Sequence, residues 1–262
     1  MTGTVVISLD FELGWGHRTA RPEYIDRLRS ASTDSFERIR SLIDLFDEYE
    51  VPATWAVVGK LIQPGEDSLF HNPDLFRYLL DADTAHDIGL HSYAHRTFDE
   101  LSMSEARDDL RDGVDALDDW GIDPRTFIYP RGIVDHTNVL SEYGIEYYRS
   151  RQMSGGLIGL ITRSLIPRTT RLPTIEGCSP PYPIPETLFV ASRRPELLRW
   201  WQIAGGLRRA ISGDELVHFW LHPHNVVTDE ETLSLVERMV QRLAAYRDRG
   251  ALRCVTMAGL FH

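Results

Sequence analysis

An α/β protein built on a parallel sheet is the fold class this chain predicts, and three observations predict it. Strand-like and helix-like segments alternate almost from end to end. Residues suited to chemistry recur just past the apolar runs, where α/β barrels and open parallel sheets place their sites. The chain has 262 residues, 42% of them hydrophobic, enough to bury a core without disulfides or structural metals. The alternation is compatible with a sheet that is open or closed into a barrel.

The elements follow in order. Residues 4–10 (TVVISLD) are apolar and β-branched, as in a buried strand. In 32–49, Phe36, Ile39, Leu42, Ile43 and Phe46 recur at helical spacing. Strands are predicted at 52–58 and 86–91. The segment 102–120 opens on a capping box, Ser102 to Glu105, and predicts a helix. A strand at 126–129 is ended by Pro130 and Gly132, then a short helix at 136–143 and a strand at 145–148. Pro195 opens a helix over 195–211. A strand at 215–221, a helix at 229–246 and a strand at 252–257 complete the series. The whole chain, 1–262, reads as one catalytic domain. A basic Gly/Pro-rich insertion is expected around 150–186.

Charge narrows the function. The net charge is −11, which disfavours nucleic acid as a partner. The only lysine is Lys60, a composition that fits a high-salt cytoplasm or a GC-rich genome. Between 147 and 211, however, ten arginines face three glutamates. No apolar run approaches the ~20 residues of a membrane span, and no basic segment leads into an apolar stretch at the N-terminus, so a cytoplasmic location is expected. Cys178 and Cys254 are too isolated for a disulfide framework and predict reduced, mostly buried thiols.

Four predicted strand ends carry the chemistry. Asp10 and Glu12 end the first. Two apart on an extended segment, they project to one side, and such a pair can divide metal binding from proton transfer; the alternative is two solvated acids at a loop. His91 and His95 (HSYAH) follow the third strand at a spacing that lets two imidazoles reach one ion. Alone the spacing is commonplace, but two histidines with a carboxylate make a three-ligand set that leaves positions open for water. By ligand type Zn²⁺ comes first, with Co²⁺, Mn²⁺ or Ni²⁺ also suitable. Pro130 and Arg131 end the fourth strand. His222 and His224 (HPH) end the late one, either as a proton donor to a leaving group or as buried histidines satisfied by backbone. Trp15, Trp55 and Trp220 offer flat surfaces on which sugar rings stack, or core.

Taken together, SLDFE, PATW, HDIGLHSYAH, YPRG and FWLHPH, in that order over residues 4–257, resemble the polysaccharide deacetylases (NodB homology, family 4 carbohydrate esterases). The resemblance implies a distorted (β/α) barrel with fewer than eight complete repeats. It implies metal-dependent removal of an acetyl group from an N-acetylated sugar. It gives Asp10 the role of catalytic base, His91 and His95 those of metal ligands, and His222 that of general acid. The family pattern has adjacent aspartates; here Phe11 intervenes and Glu12 takes the metal position. The family places arginine before the proline; here Arg131 follows Pro130, which puts its orienting role toward Asp10 in question. Trp15, Tyr129, Arg131 and His224 are the expected substrate contacts, and a backbone N–H within 129–132 the expected oxyanion donor.

A cytoplasmic member would act on a precursor, a sugar nucleotide, a lipid-linked sugar or a small amide, in surface-polysaccharide or glycoconjugate metabolism. The arginines of 149–209, with Trp200 and Trp201 and the apolar run 157–161, suit a phosphate- or lipid-linked sugar, with peripheral contact at the inner membrane face. Allantoinase-like hydrolysis of a small or cyclic amide is the rival chemistry, and a non-catalytic glycan-binding relative the rival class.

Overall fold

The structure, a computed structural model, describes residues 2–18, 22–30, 32–151, 167–175 and 177–261. Its centre is β1 (Gly3–Phe11), buried at all nine positions. The run of apolar residues that predicted this strand has the composition of one covered on both faces. One edge of β1 pairs along its length with β8 (Leu216–Leu221). The other edge is shared: β9 (Leu252–Val255) pairs with residues 3–6 and β2 (Thr54–Val57) with residues 8–11. Beyond β2 lie β3 (Asp87–Leu90), β4 (Thr126–Ile128), β5 (Tyr147–Ser150) and β6 (Tyr182–Pro185), all parallel.

The far edges meet through one extended segment. β6 pairs with β5, and β7 (Leu188–Phe189), three residues on, pairs with β8. Between them the Glu186 N–H donates to the Ser150 carbonyl and the Thr187 N–H to the His218 carbonyl. Consecutive residues thus bond opposite edges of the sheet, giving the distorted barrel with fewer than eight complete repeats. The Pro-rich sequence of β6 permits this. The N–H groups of Tyr182 and Glu186 face β5, so Pro183 and Pro185 fall at alternate positions whose missing N–H faces away from it. The stretch expected to be an insertion therefore ends as barrel wall. Residues 157–161 and Arg163, from the rest of that stretch, lie outside the described residues.

Among the described residues the α-helices are α1 (Pro22–Ser30), α2 (Ser32–Glu48), α3 (Pro73–Leu80), α4 (Met103–Asp118), α5 (Thr137–Leu140), α6 (Glu196–Gly213), α7 (Asn225–Thr228) and α8 (Glu230–Arg247). α4 carries both bonds of the predicted capping box, and Asp229 caps α8. Unforeseen were α1, α3, α7 and the two short closing strands. Cys178 is exposed and Cys254 half-buried, unpaired, so the expectation of mostly buried thiols fails for Cys178, which lies in the exposed approach to β6. Among the described residues no helix is long and apolar enough to cross a membrane.

The strand N-termini are tied together at the end of the sheet opposite Asp10 and Glu12. Asp87 Oδ2 accepts from the hydroxyls of Thr54 and Thr126, both at 2.9 Å. Nearby, His86 packs against Phe46 and Trp55 and its Nδ1 accepts the Ala53 N–H at 3.2 Å. Burial lowers the His86 pKa to about 4. Protonation therefore favours the unfolded chain. The contribution is whole above the ordinary histidine value near 6.5 and drains away as pH falls toward 4, a loss of about 2–3 kcal/mol. His86→Asn supplies an acceptor that does not titrate. We expect thermal midpoints measured from pH 7 to pH 4.5 to fall less steeply in this variant than in the parent; parallel curves would contradict the assignment.

Candidate active site

The C-terminal ends of β1, β5 and β8 open into a cleft of about 900 Å³. Asp10 and Glu12, at the end of β1, are both buried on its floor. The chain turns directly after them: the Trp15 N–H donates to the Glu12 carbonyl at 2.8 Å, and Leu13 takes a positive φ of 42°. A Cβ on Gly16 would stand 2.1 Å from Glu12 Oε1, so only glycine lets this turn close over the carboxylate.

Glu12, His91 and His95 converge. Glu12 Oε2 lies 3.2 Å from His91 Nε2 and 2.8 Å from His95 Nε2. His91 Nδ1–H donates to the Ile128 carbonyl at 2.7 Å, a bond that orients the ring and leaves Nε2 to present its lone pair. Residues 91–95 form a loop, with positive φ at Ser92 and His95. Asp109 of α4 holds it, accepting from the Ser92 hydroxyl at 3.1 Å and the Tyr93 N–H at 2.9 Å. Burial raises the Glu12 pKa, but His222, His91 and His95 outweigh it and hold the carboxyl well below its ordinary value. Burial lowers His91, and the carboxylates of Glu12 and Asp10 more than reverse it. An anionic oxygen and two imidazole nitrogens aimed at one point fit a divalent cation.

Asp10 faces a different partner. Arg149, from β5, binds it in a two-pronged ion pair, Nη1 to Oδ1 and Nη2 to Oδ2, both at 2.6 Å, with both side chains buried. The guanidinium lies 4.6 Å from the Trp220 ring centroid, and its Nε is 3.5 Å from Glu186. Nη1 also donates to Ser8 Oγ at 3.1 Å, and Ser8 lies 2.8 Å from His218 Nε2. Burial, then Arg149, pushes the His218 pKa down to about 3, so this ring is neutral beside the guanidinium. Burial raises Asp10, but Arg149, with His91 and His222, holds it below its ordinary value.

His222 completes the floor. Its Nδ1 is 3.3 Å from Asn225 Oδ1, to which the His222 backbone N–H also donates at 2.9 Å. The ring thereby turns Nε2 inward, 3.4 Å from Glu12 Oε1 and 3.7 Å from Asp10 Oδ2. His224 stacks on it with ring centroids 4.9 Å apart. Burial, then His222, pushes the His224 pKa down to about 3, so it is a neutral wall of the cleft.

The structure thus brings Asp10, Glu12, His91, His95, His222 and His224 together, and Arg131 lines the same cleft. The arginine forked onto Asp10 is Arg149, from β5. Arg149 stands one residue past the strand predicted at 145–148, so the rule that found the other residues also points to it. Two expected substrate contacts are corrected. Trp15 is buried, its indole N–H donating to the Phe70 carbonyl at 2.8 Å. Tyr129 is buried among Phe98, Phe127 and Tyr148. Trp55 is likewise core. Neither Pro130 nor Gly132 can be the oxyanion donor. Pro130 has no N–H, and that of Gly132 closes the turn onto the Tyr129 carbonyl. The basic region is also divided: Arg149 and Arg199 are buried in ion pairs, Arg199 with Asp229 and Glu231 at 2.8 Å each. Trp201 and Leu197 of α6 are exposed.

The arrangement can be set beside known proteins. A comparison with curated proteins returns no match. Solved structures share the fold at low identity. A Mycobacterium smegmatis protein assigned as a polysaccharide deacetylase superposes with a TM-score of 0.70 at 16% identity, over 98% of this chain and 88% of its own. The allantoinase PuuE gives 0.68 at 14%, over 97% and 87%. A family 4 carbohydrate esterase from Streptomyces lividans gives 0.54 at 16%, over 99% and 94%. The family model for polysaccharide deacetylase matches residues 6–148, a span that takes in Asp10, Glu12, His91 and His95. With more than half of its length matched, the chain belongs to the polysaccharide deacetylase family.

Proposed function

We propose that this protein is a metal-dependent N-deacetylase acting on an N-acetylated sugar or glycan precursor. The observation that carries the reading is the double assignment of the carboxylates, Glu12 to two imidazoles and Asp10 to a guanidinium, on one cleft floor. Glu12, His91 and His95 would hold the metal, with Zn²⁺ first by ligand type. When bound, it supplies Lewis acidity for the acetamide carbonyl and the attacking water.

The remaining work falls to the chain's own groups. Asp10, kept ionised and fixed by Arg149, takes a proton from the water that adds to the acetamide carbon. The carbon–nitrogen bond then breaks, giving acetate and a free amine. An amide nitrogen leaves poorly as an anion, so it needs a proton, and His222, whose Nε2 turns into the cleft beside Asp10 and Glu12, is placed to give it. Asn225 fixes the ring for this transfer. With Pro130 and Gly132 ruled out, the peptide N–H of Tyr129 or Arg131 is left from the expected stretch to hold the oxyanion, beside the charge a bound metal would supply.

His222→Ala lowers kcat by about 10²–10⁴, the range for a positioned acid or base, with little change in substrate binding. A normal kcat in this variant would end the role. The reading as a whole is tested by elemental metal analysis alongside acetate release from a panel of N-acetylated sugar precursors, with a cyclic amide included. Turnover of the cyclic amide alone, or full activity in metal-free protein, would overturn it. A cytoplasmic location, at the inner membrane face or free of it, is part of the same proposal and is checked by fractionating cells.

A further inference from the structure

Among the described residues seven arginines line the cleft, in a chain whose net charge is −11. The five described acids that line it already have cationic or imidazole partners. Asp10 and Glu186 face Arg149, Asp229 and Glu231 face Arg199, and Glu12 faces the histidines. Arg27, Arg151 and Arg193 are left exposed at the mouth, and no lining acid pairs with them among the described residues.

They come from three different parts of the fold. Arg27 projects from α1, Arg193 from the link between β7 and α6, and Arg151 from just past β5. Arg151 occupies a built position. Its guanidinium donates to the Arg131 carbonyl, and a Cβ on Gly132, where φ is +63°, would stand 2.7 Å from its Nε. Arg131 itself has a positive φ of 58°. Three separate elements thus place guanidinium groups around a mouth whose floor handles an acetamide. Convergent cations over a largely neutralised floor attract and fix an oxyanion group.

We propose that this rim is a phosphate subsite and that the substrate is a phosphate-linked N-acetyl sugar. The inference rests on the deacetylase reading for the orientation of the sugar, acetamide to the floor and phosphate to the mouth. In a 2-acetamido sugar a phosphate on C1 sits on the neighbouring carbon, so one ring spans both. A nucleotide carrier and a polyprenyl carrier present the same diphosphate chemistry.

The test is binding, measured by calorimetry on the Asp10→Asn protein, so that it needs no turnover. The probes are N-acetylglucosamine, N-acetylglucosamine 1-phosphate and inorganic phosphate. The phosphorylated sugar should bind at least about tenfold more tightly than the neutral one, the worth of one charge-assisted hydrogen bond. Arg27→Gln, Arg151→Gln and Arg193→Gln should each shrink that preference several-fold. Arg208→Gln with Arg209→Gln, exposed on α6 away from the cleft, should leave it intact. Equal affinity for the two sugars overturns the subsite, as does a preference that survives the folded triple variant. Tight binding of inorganic phosphate that fails to compete with the phosphorylated sugar does so too. Acetate release is then read on wild type with a nucleotide-linked and a detergent-solubilised polyprenyl-linked sugar. A higher kcat/KM for one names the carrier. Phosphate-dependent binding with no acetate release from any sugar would contradict the deacetylase reading and leave the anion subsite standing.

Discussion

His91→Ala and His95→Ala are each expected to abolish bound metal and to reduce acetate release by about 10³-fold or more, because losing one of three ligands removes most of the affinity of such a site. The reason lies in the convergence on Glu12 Oε2, at 3.2 and 2.8 Å. Glu12→Gln should behave alike, since a neutral amide cannot balance the cation. Asp10→Asn is the informative contrast. Asp10 is engaged by Arg149 and does not share in the convergence of His91 and His95 on Glu12, so this variant should keep its metal and lose turnover. Elemental analysis of the four purified proteins decides the matter. An Asp10→Asn protein stripped of metal beside a Glu12→Gln protein that retains it would reverse the two carboxylates.

Arg149→Met should be the most damaging single change to the rest of the site. It leaves the Asp10 carboxylate buried without its counter-ion, and breaking a buried pair from one side costs about 3–5 kcal/mol. It also removes the donor to Ser8 and the group that lies over Trp220. We expect a fall in the thermal midpoint of several degrees together with a loss in kcat of about 10²-fold or more. Arg149→Lys should recover part of the stability and little of the rate, since a single ammonium cannot hold both carboxylate oxygens in the forked geometry. A lysine variant with full kcat would reduce Arg149 to a structural counter-charge. An alanine at Arg131, which lines the cleft, should leave Asp10 in place, since Arg149 holds it.

Much of this was legible along the chain. β1 was readable because a strand buried on both faces reads as a near-continuous apolar run, and Val5, Val6, Ile7 and Leu9 make residues 4–10 such a run. Its boundary then located Asp10 and Glu12, and the same reasoning at other strand ends located His91, His95 and His222. The capping box of Ser102 and Glu105 marked the start of α4 to within a residue. Such features depend on neighbours within a turn or a few strand residues, and short-range order is written in spacing.

Other features depend on distant partners, and no spacing encodes them. Asp10 and Arg149 are 139 positions apart; that they meet follows from the circular order of the strands, which also joins Glu186 and Thr187 to opposite edges. The HSYAH spacing suggested two imidazoles on one turn of backbone, but Asp109, a residue of α4, decides that the turn is a strained loop. The direction of an aromatic side chain is equally a matter of the surroundings: Trp15 and Tyr129 stand beside the site in the chain yet rotate into core, because burying a large ring among other rings gains more than exposing it to water. The chain by itself thus settled the sheet, the strand ends and the residues with chemical potential. Only the closed fold settled which cation meets which carboxylate, since that is decided by the low-dielectric company each group keeps once water has been expelled.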